Sequence, residues 1–164
     1  MTTKGFDPQD MDLFHDDAKV GLLATVSPEG LPHVTLITTL QARPPTQITW
    51  GQFTEGRSKD HLRGNPNAAF LIMTPDRKLW RGRARWTHAE TSGEVYEAYN
   101  DKPMFRYNSY FGIHTVHHMD LVQGGEQEAL PLAGIAAGTA VVKATRRLLR
   151  TQMGEPALRP WAEE

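Results

Sequence analysis

The apolar residues of this chain fall mostly into short runs broken by Gly, Pro, Asn or Asp, the pattern of strands joined by turns. Residues 20–26 (VGLLATV) are apolar on both faces, Ser27-Pro28-Glu29-Gly30 supplies a turn, and residues 32–39 are rich in β-branched side chains. The two runs predict an antiparallel hairpin, because so short a connection leaves no room for a crossover. Third and fourth strands are predicted at 48–50 and 68–73. Between them, residues 58–63 read as a short helix stopped at Asn65-Pro66, since the residue before proline disfavours the helical region. Residues 79–87 alternate with period two: Leu79, Arg81, Arg83 and Arg85 face one way, and Trp80, Gly82, Ala84 and Trp86 the other. A sixth strand is predicted at 113–122.

Helical patterns are fewer. Asp7-Pro8 ahead of Met11, Leu13 and Phe14 has the N-cap and first-turn proline of a short helix, and EVYEAYN at 94–100 predicts another. Residues 132–150 read as an Ala-rich helix weakened by Gly134 and Gly138, each costing ~1 kcal/mol relative to Ala. Six strands in hairpins, with helices as inserts, predict a mostly β domain: a small antiparallel barrel with flanking helices, and not a doubly wound sheet. The barrel is expected over about 11–122 and the C-terminal helix and tail over about 132–164, so that 1–164 forms one domain.

Composition narrows the function classes. The 164 residues are 39% hydrophobic and carry 18 Lys plus Arg against 19 Asp plus Glu, so no basic excess points to nucleic acid or an anionic membrane. The absence of cysteine removes disulfides, thiolate catalysis and Cys-ligated metals together, and makes a reducing cytoplasm the expected location. The N-terminal residues lack the apolar core of a signal peptide, and the longest uncharged stretch, 129–142, is shorter than the ~20 residues of a membrane span.

Candidate chemistry is concentrated in 50–66, WGQFTEGRSKDHLRGNP. A strand ends there, a Gly-containing loop follows and a helix begins, so free N–H groups and the positive end of the helix dipole point outward. Thr54 and Ser58 add hydroxyls and Arg57 and Lys59 add charge, which together suit a phosphate monoester; the same residues also suit a Ser-capped surface helix. The segment approaches a P-loop in Gly51-x4-Gly56-Arg57-Ser58 but lacks its lysine, and the preceding strand alternates instead of forming a buried apolar run. Nucleotide triphosphatase chemistry is therefore not expected.

Three further groups stand out. On one strand His114 and His118 share a face ~13 Å apart while His117 points the other way, so the three do not form a simple metal site and none is expected. A single axial haem ligand stays open. Arg81, Arg83 and Arg85 suit an anionic ligand, a solvated strand face or the edge of a subunit interface. KPMFRYNSYF at 102–111 places four aromatics around Arg106, a composition that suits either a cover for a planar cofactor or a core plug.

Taken in order, these segments resemble the pyridoxamine phosphate oxidase-like FMN-binding split-barrel proteins over residues 11–122. The resemblance rests on the hairpin VGLLATVSPEGLPHVTLI, on Ser58-Lys59 and Asn65-Pro66 followed by AAFLIM, and on LWRGRARW with Gly82-x-Ala84. It implies FMN at a homodimer interface, its phosphate held by the loop and helix after the third strand and its ring lying along the second. Carried over by position, Ser58 and Lys59 match the phosphate-binding pair, with Arg57 beside them. Gln52, Phe53 and Thr54 match the strand end near the phosphate and ribityl chain, and Thr35, Leu36, Ile37 and Thr38 match the run facing the flavin. Arg77 falls near a further cofactor contact. The resemblance implies an FMN-dependent oxidoreductase fed by a nicotinamide or another small donor; a non-enzymatic flavin carrier and a haem-binding split barrel are the alternatives. Two departures separate the chain from the vitamin B6 oxidases themselves: Thr35 stands where they carry arginine, and their C-terminal Arg-x-His signature is absent.

Overall fold

In the computed structural model the described residues are 5–14, 19–74, 78–103, 105 and 112–128, which lie in one compact unit, residues 1–129. The expected helix at 132–150, Arg77 and most of the 102–111 segment, Arg106 included, lie outside the described residues. A one-turn 3-10 helix at Pro8–Asp10 runs into α1 (Met11–Phe14), and the Asp7 carboxylate accepts the Gln9 N–H at 2.9 Å, as the Asp-Pro start predicts. Seven strands follow: β1 (Val20–Val26), β2 (Pro32–Leu36), β3 (Gln41–Arg43), β4 (Gln47–Gln52), β5 (Asn67–Met73), β6 (Leu79–Glu90) and β7 (Thr115–Glu128). They form one antiparallel sheet in the order β2-β1-β5-β6-β7-β4-β3, with α2 (Arg57–Gly64) between β4 and β5 and α3 (Glu94–Asn100) between β6 and β7. The sheet is not closed; β2 and β3 are its edges.

The strand count corrects the expectation of six. β3 is only three residues long and ends at Pro44-Pro45, so it offers too little alternation to register as a strand. β2 stops at Leu36, where the chain turns through residues 37–40 with Leu40 N–H bonded to the Ile37 carbonyl at 3.2 Å. β7 begins after Ile113 and His114, because Asn100 clamps Ile113 in the preceding loop: its Oδ1 accepts the Ile113 N–H at 2.8 Å. β7 then runs beyond the expected end through Gly124 and Gly125, which take positive φ near an irregularity in the β6–β7 register.

The inward faces supply the core. Leu23 of β1, Ile48 and Trp50 of β4, Phe70 and Ile72 of β5, Trp80 and Ala84 of β6 and Met119 and Leu121 of β7 pack with Phe6, Phe14 and Leu62. Each of the large side chains among them contributes about 1.5–3 kcal/mol by leaving water. The outward face of the β2 edge differs: Val34 and Leu36 are 59% and 62% exposed, and Leu31 before them 64%. The arginine row of β6 is exposed as its period-two pattern predicts, with Arg81 paired to Glu128 at 2.8 Å. No described helix is long and apolar enough to cross a membrane.

Candidate functional site

α2 has the i, i+3, i+4 pattern of a helix with one buried face: Ser58, His61 and Leu62 are buried, and Arg57, Asp60 and Arg63 face solvent. Asn65 is extended, as expected before Pro66, and ends it. The helix is not capped by Ser58. Gly56 is the N-cap, no side chain caps the first turn, and Ser58 is the second residue of the helix, with its hydroxyl 2.8 Å from that of Thr35 on β2. That correction matters, because a serine spent on capping would face its own helix, whereas this one points across to the opposite wall. His33 Nε2 lies 2.9 Å from the same Thr35 hydroxyl. Lys59 is mostly buried along its stem and pairs with Glu55.

Between these elements lies a cavity of about 170 Å³. It is lined by Thr35, Leu36, Ile37 and Thr38, by Gln52, Phe53 and Thr54, and by Arg57, Ser58 and Lys59, so the fold brings all ten sequence-predicted site residues to one place. Thr39, Trp50, Gly51 and Gly56 line it as well and were not legible as site residues. Thr39 completes the wall by substituting for a strand. Its hydroxyl donates to the Gly51 carbonyl at 2.7 Å and accepts the Gly51 N–H at 3.1 Å. The Tyr99 hydroxyl, whose pKa burial pushes up, donates to the Thr39 carbonyl and accepts from Thr49.

The histidines expected on β7 have other roles. His114 is exposed and precedes the strand. His117 is buried and stacks on Trp50 at 4.0 Å; its Nδ1 accepts from Trp86 Nε1 at 3.3 Å and its Nε2 donates to Gln52 Oε1 at 2.9 Å. Desolvation by burial, with the nearby Lys59 and Arg63 charges, pushes its pKa down to about 4, so the ring is neutral near pH 7. Gln52 in turn donates to the Thr54 carbonyl at 3.0 Å. His117 therefore holds the cavity wall, with no ring nitrogen left to ligate a metal. His118 turns to the other face, opposite His88. No described histidine lines the cavity.

The P-loop likeness also ends here: Gly51 lies within β4, and β4 is antiparallel to both its neighbours, β3 and β7, so the strand–loop–helix is not a parallel βαβ unit.

No family model and no curated protein matches the sequence. Solved structures do match. The chain is similar to an FMN-binding protein from Syntrophomonas wolfei subsp. wolfei, with 13% identity, a TM-score of 0.59 and coverage of 73% of this chain and 84% of that one. A pyridoxamine 5'-phosphate oxidase-type protein from Lactobacillus delbrueckii matches with 15% identity, a TM-score of 0.54 and coverage of 74% and 93%. The fold is the split barrel of the pyridoxamine 5'-phosphate oxidase-like proteins. HupZ of Group A Streptococcus shares this split barrel at 17% identity and a TM-score of 0.56, over 71% of this chain and 90% of its own. In this split barrel the cavity opens where β2, the end of β4 and the start of α2 converge, which is why residues distant in sequence meet there.

Proposed function

We propose that the chain binds FMN in the cavity between β2, β4 and α2. The observation that carries this reading is the Thr35–Ser58 hydroxyl pair at an α2 N-terminus that no side chain caps, with Arg57 and Lys59 alongside. That donor set fits a dianionic phosphate. The opposite side of the cavity offers Leu36, Ile37, Trp50 and Phe53, which fit a flat apolar ring, and Thr38 and Gln52 supply polar contacts at its edge. FMN, when bound, supplies two-electron redox chemistry. The protein's residues bind the phosphate, orient the ring and limit access to it; among the described residues no acid–base pair lines the cavity. The test is titration by flavin fluorescence quenching, in which FMN should bind more tightly than riboflavin. Flavin bands near about 450 nm in the purified protein would agree, and a haem Soret band in their place would remove the reading.

The working unit is a homodimer. Val34 and Leu36 form an exposed apolar edge beside the cavity, and a second copy would cover them. Light scattering should give a mass near twice the 18.4 kDa of one chain. Val34→Glu, on a residue outside the cavity lining, should produce the monomer; a dimer that survives this substitution places the interface elsewhere.

The loaded protein is an oxidoreductase that takes electrons from a reduced nicotinamide or a similar small donor. It should not oxidise pyridoxamine phosphate, because Thr35 is neutral at a position where the substrate phosphate needs a basic partner. Pyridoxal phosphate formation under air, alongside anaerobic bleaching by NADH or NADPH, reads both outcomes. Turnover of pyridoxamine phosphate would overturn the substrate exclusion, and failure of every donor would favour an FMN-binding protein without enzymatic activity.

A further inference from the structure

Away from the cavity, β6 and β7 bring His88, Glu90 and His118 together, with one potential ligand atom from each within 4.8 Å of the others. The cause is register: His88 pairs directly with His118 across the two strands, and Glu90 lies two residues along β6, on the same face as His88. The imidazoles stack at 4.3 Å. None of the three lines the cavity.

The hydrogen bonds around this group fix one imidazole tautomer and anchor the carboxylate. Thr87 Oγ1 donates its only proton to the His118 carbonyl at 3.1 Å, so its 3.0 Å contact with His88 Nδ1 has the imidazole as donor. His88 is thereby held with its proton on Nδ1, and Nε2 keeps a free lone pair. Glu90 is anchored by the Tyr96 N–H, which donates to its Oε1 at 3.1 Å. His118 is 7% exposed, and its Nε2 lies 3.3 Å from Glu90 Oε1 without the alignment of a hydrogen bond, leaving a buried nitrogen unsatisfied. Two oriented histidines and a carboxylate, with a hydroxyl fixing the tautomer of one, have the composition and outer support of a transition-metal site.

We propose that His88, Glu90 and His118 bind a divalent transition-metal ion of the zinc class. Imidazole nitrogen with one carboxylate oxygen suits zinc, cobalt or nickel better than calcium or magnesium, which prefer all-oxygen shells. Tetrahedral coordination at about 2.0–2.1 Å needs donors about 3.3 Å apart. The His118–Glu90 pair already meets that separation, and the exposed His88 ring is free to close the remainder. Water completes the shell on the solvent side. Bound there, the ion ties β6 to β7 and, through Glu90, to the start of α3.

The test uses tag-free, full-length protein stripped by chelator and kept without flavin, so that it is independent of the cofactor reading. Cobalt(II) titration followed by visible ligand-field absorption, with zinc displacement by calorimetry, should show one saturable equivalent. His88→Ala and Glu90→Gln should each weaken binding at least tenfold. Thr87→Val should weaken it about tenfold, as expected for a residue that orients a ligand. His114→Ala, on an exposed histidine outside the cluster, should change nothing. Thermal melts without metal should confirm that each variant is folded. Wild-type affinity in both ligand variants, loss of binding in His114→Ala, or the lack of a saturable equivalent would each overturn the proposal.

Discussion

Replacing Ser58 and Lys59 together by alanine is expected to weaken FMN at least tenfold and to leave riboflavin nearly unchanged. The two ligands differ only in the phosphate, so the difference isolates the α2 end of the cavity. Charge-assisted hydrogen bonds are each worth about 1.5–3 kcal/mol, and 1.4 kcal/mol is a factor of ten. The double variant also breaks the Thr35–Ser58 contact, and any change in that wall would show as the small loss for riboflavin, leaving the difference between the ligands to the phosphate. Glu55→Gln should act in the opposite direction. Glu55 now holds the Lys59 ammonium, and freeing that group should tighten FMN by up to about fivefold, the limit for an exposed pair worth up to ~1 kcal/mol. Fluorescence titration of the three proteins decides the matter, and equal losses for FMN and riboflavin would move the phosphate away from Ser58 and Lys59.

Gly82→Ala should destabilise the fold by about 3 kcal/mol. A methyl group on Gly82 would overlap the Gln123 carbonyl oxygen of β7 and approach the Phe70 ring to 2.9 Å. The carbonyl is part of the β6–β7 ladder and Phe70 is buried in the core, so neither yields without disturbing neighbours. A Cβ on Gly124, opposite Gly82, would likewise overlap the Arg81 carbonyl oxygen, so the two glycines together let the strands pair closely beside this irregularity. Urea unfolding with Arg83→Ala as an exposed control on the same strand should show a lowered midpoint for Gly82→Ala alone. An unchanged midpoint would mean that the strands separate there at little cost.

The elements with strong local signals were legible in the sequence. The Asp7-Pro8 start, the hairpin of β1 and β2, the alternation of Arg81, Arg83 and Arg85 against Trp80 and Ala84, and α3 over Glu94–Asn100 all follow from caps, turns and periodicity. β3 was not, because three residues pinned between a turn and two prolines owe their extended state to pairing with β4. The far end of β7 was hidden for a related reason: Gly124-Gly125 reads as a break, yet here it relieves crowding against β6. Gathering the ten site residues needed the order of segments, since no one segment specifies a cavity. Thr39 shows the limit of pattern reading. Its hydroxyl imitates the ladder bonds of a strand at Gly51, a role that depends on a turn bringing it there. The cross-strand meeting of His88 with His118 likewise depends on β6–β7 register, which an irregularity between Trp86 and His88 displaces from any simple count.

The chain of bonds from Trp86 through His117 to Gln52 bears on kinetics. With Gln52 held from behind and Thr35 tied to Ser58, these three polar groups of the cavity are in place before anything enters. Lys59 is the cation that must leave a partner, and the rotation of an exposed ion pair is far faster than diffusional encounter. Entry of different flavins should therefore proceed at similar rates, and discrimination among them should appear in residence time, which stopped-flow mixing followed by chase with unlabelled ligand would measure.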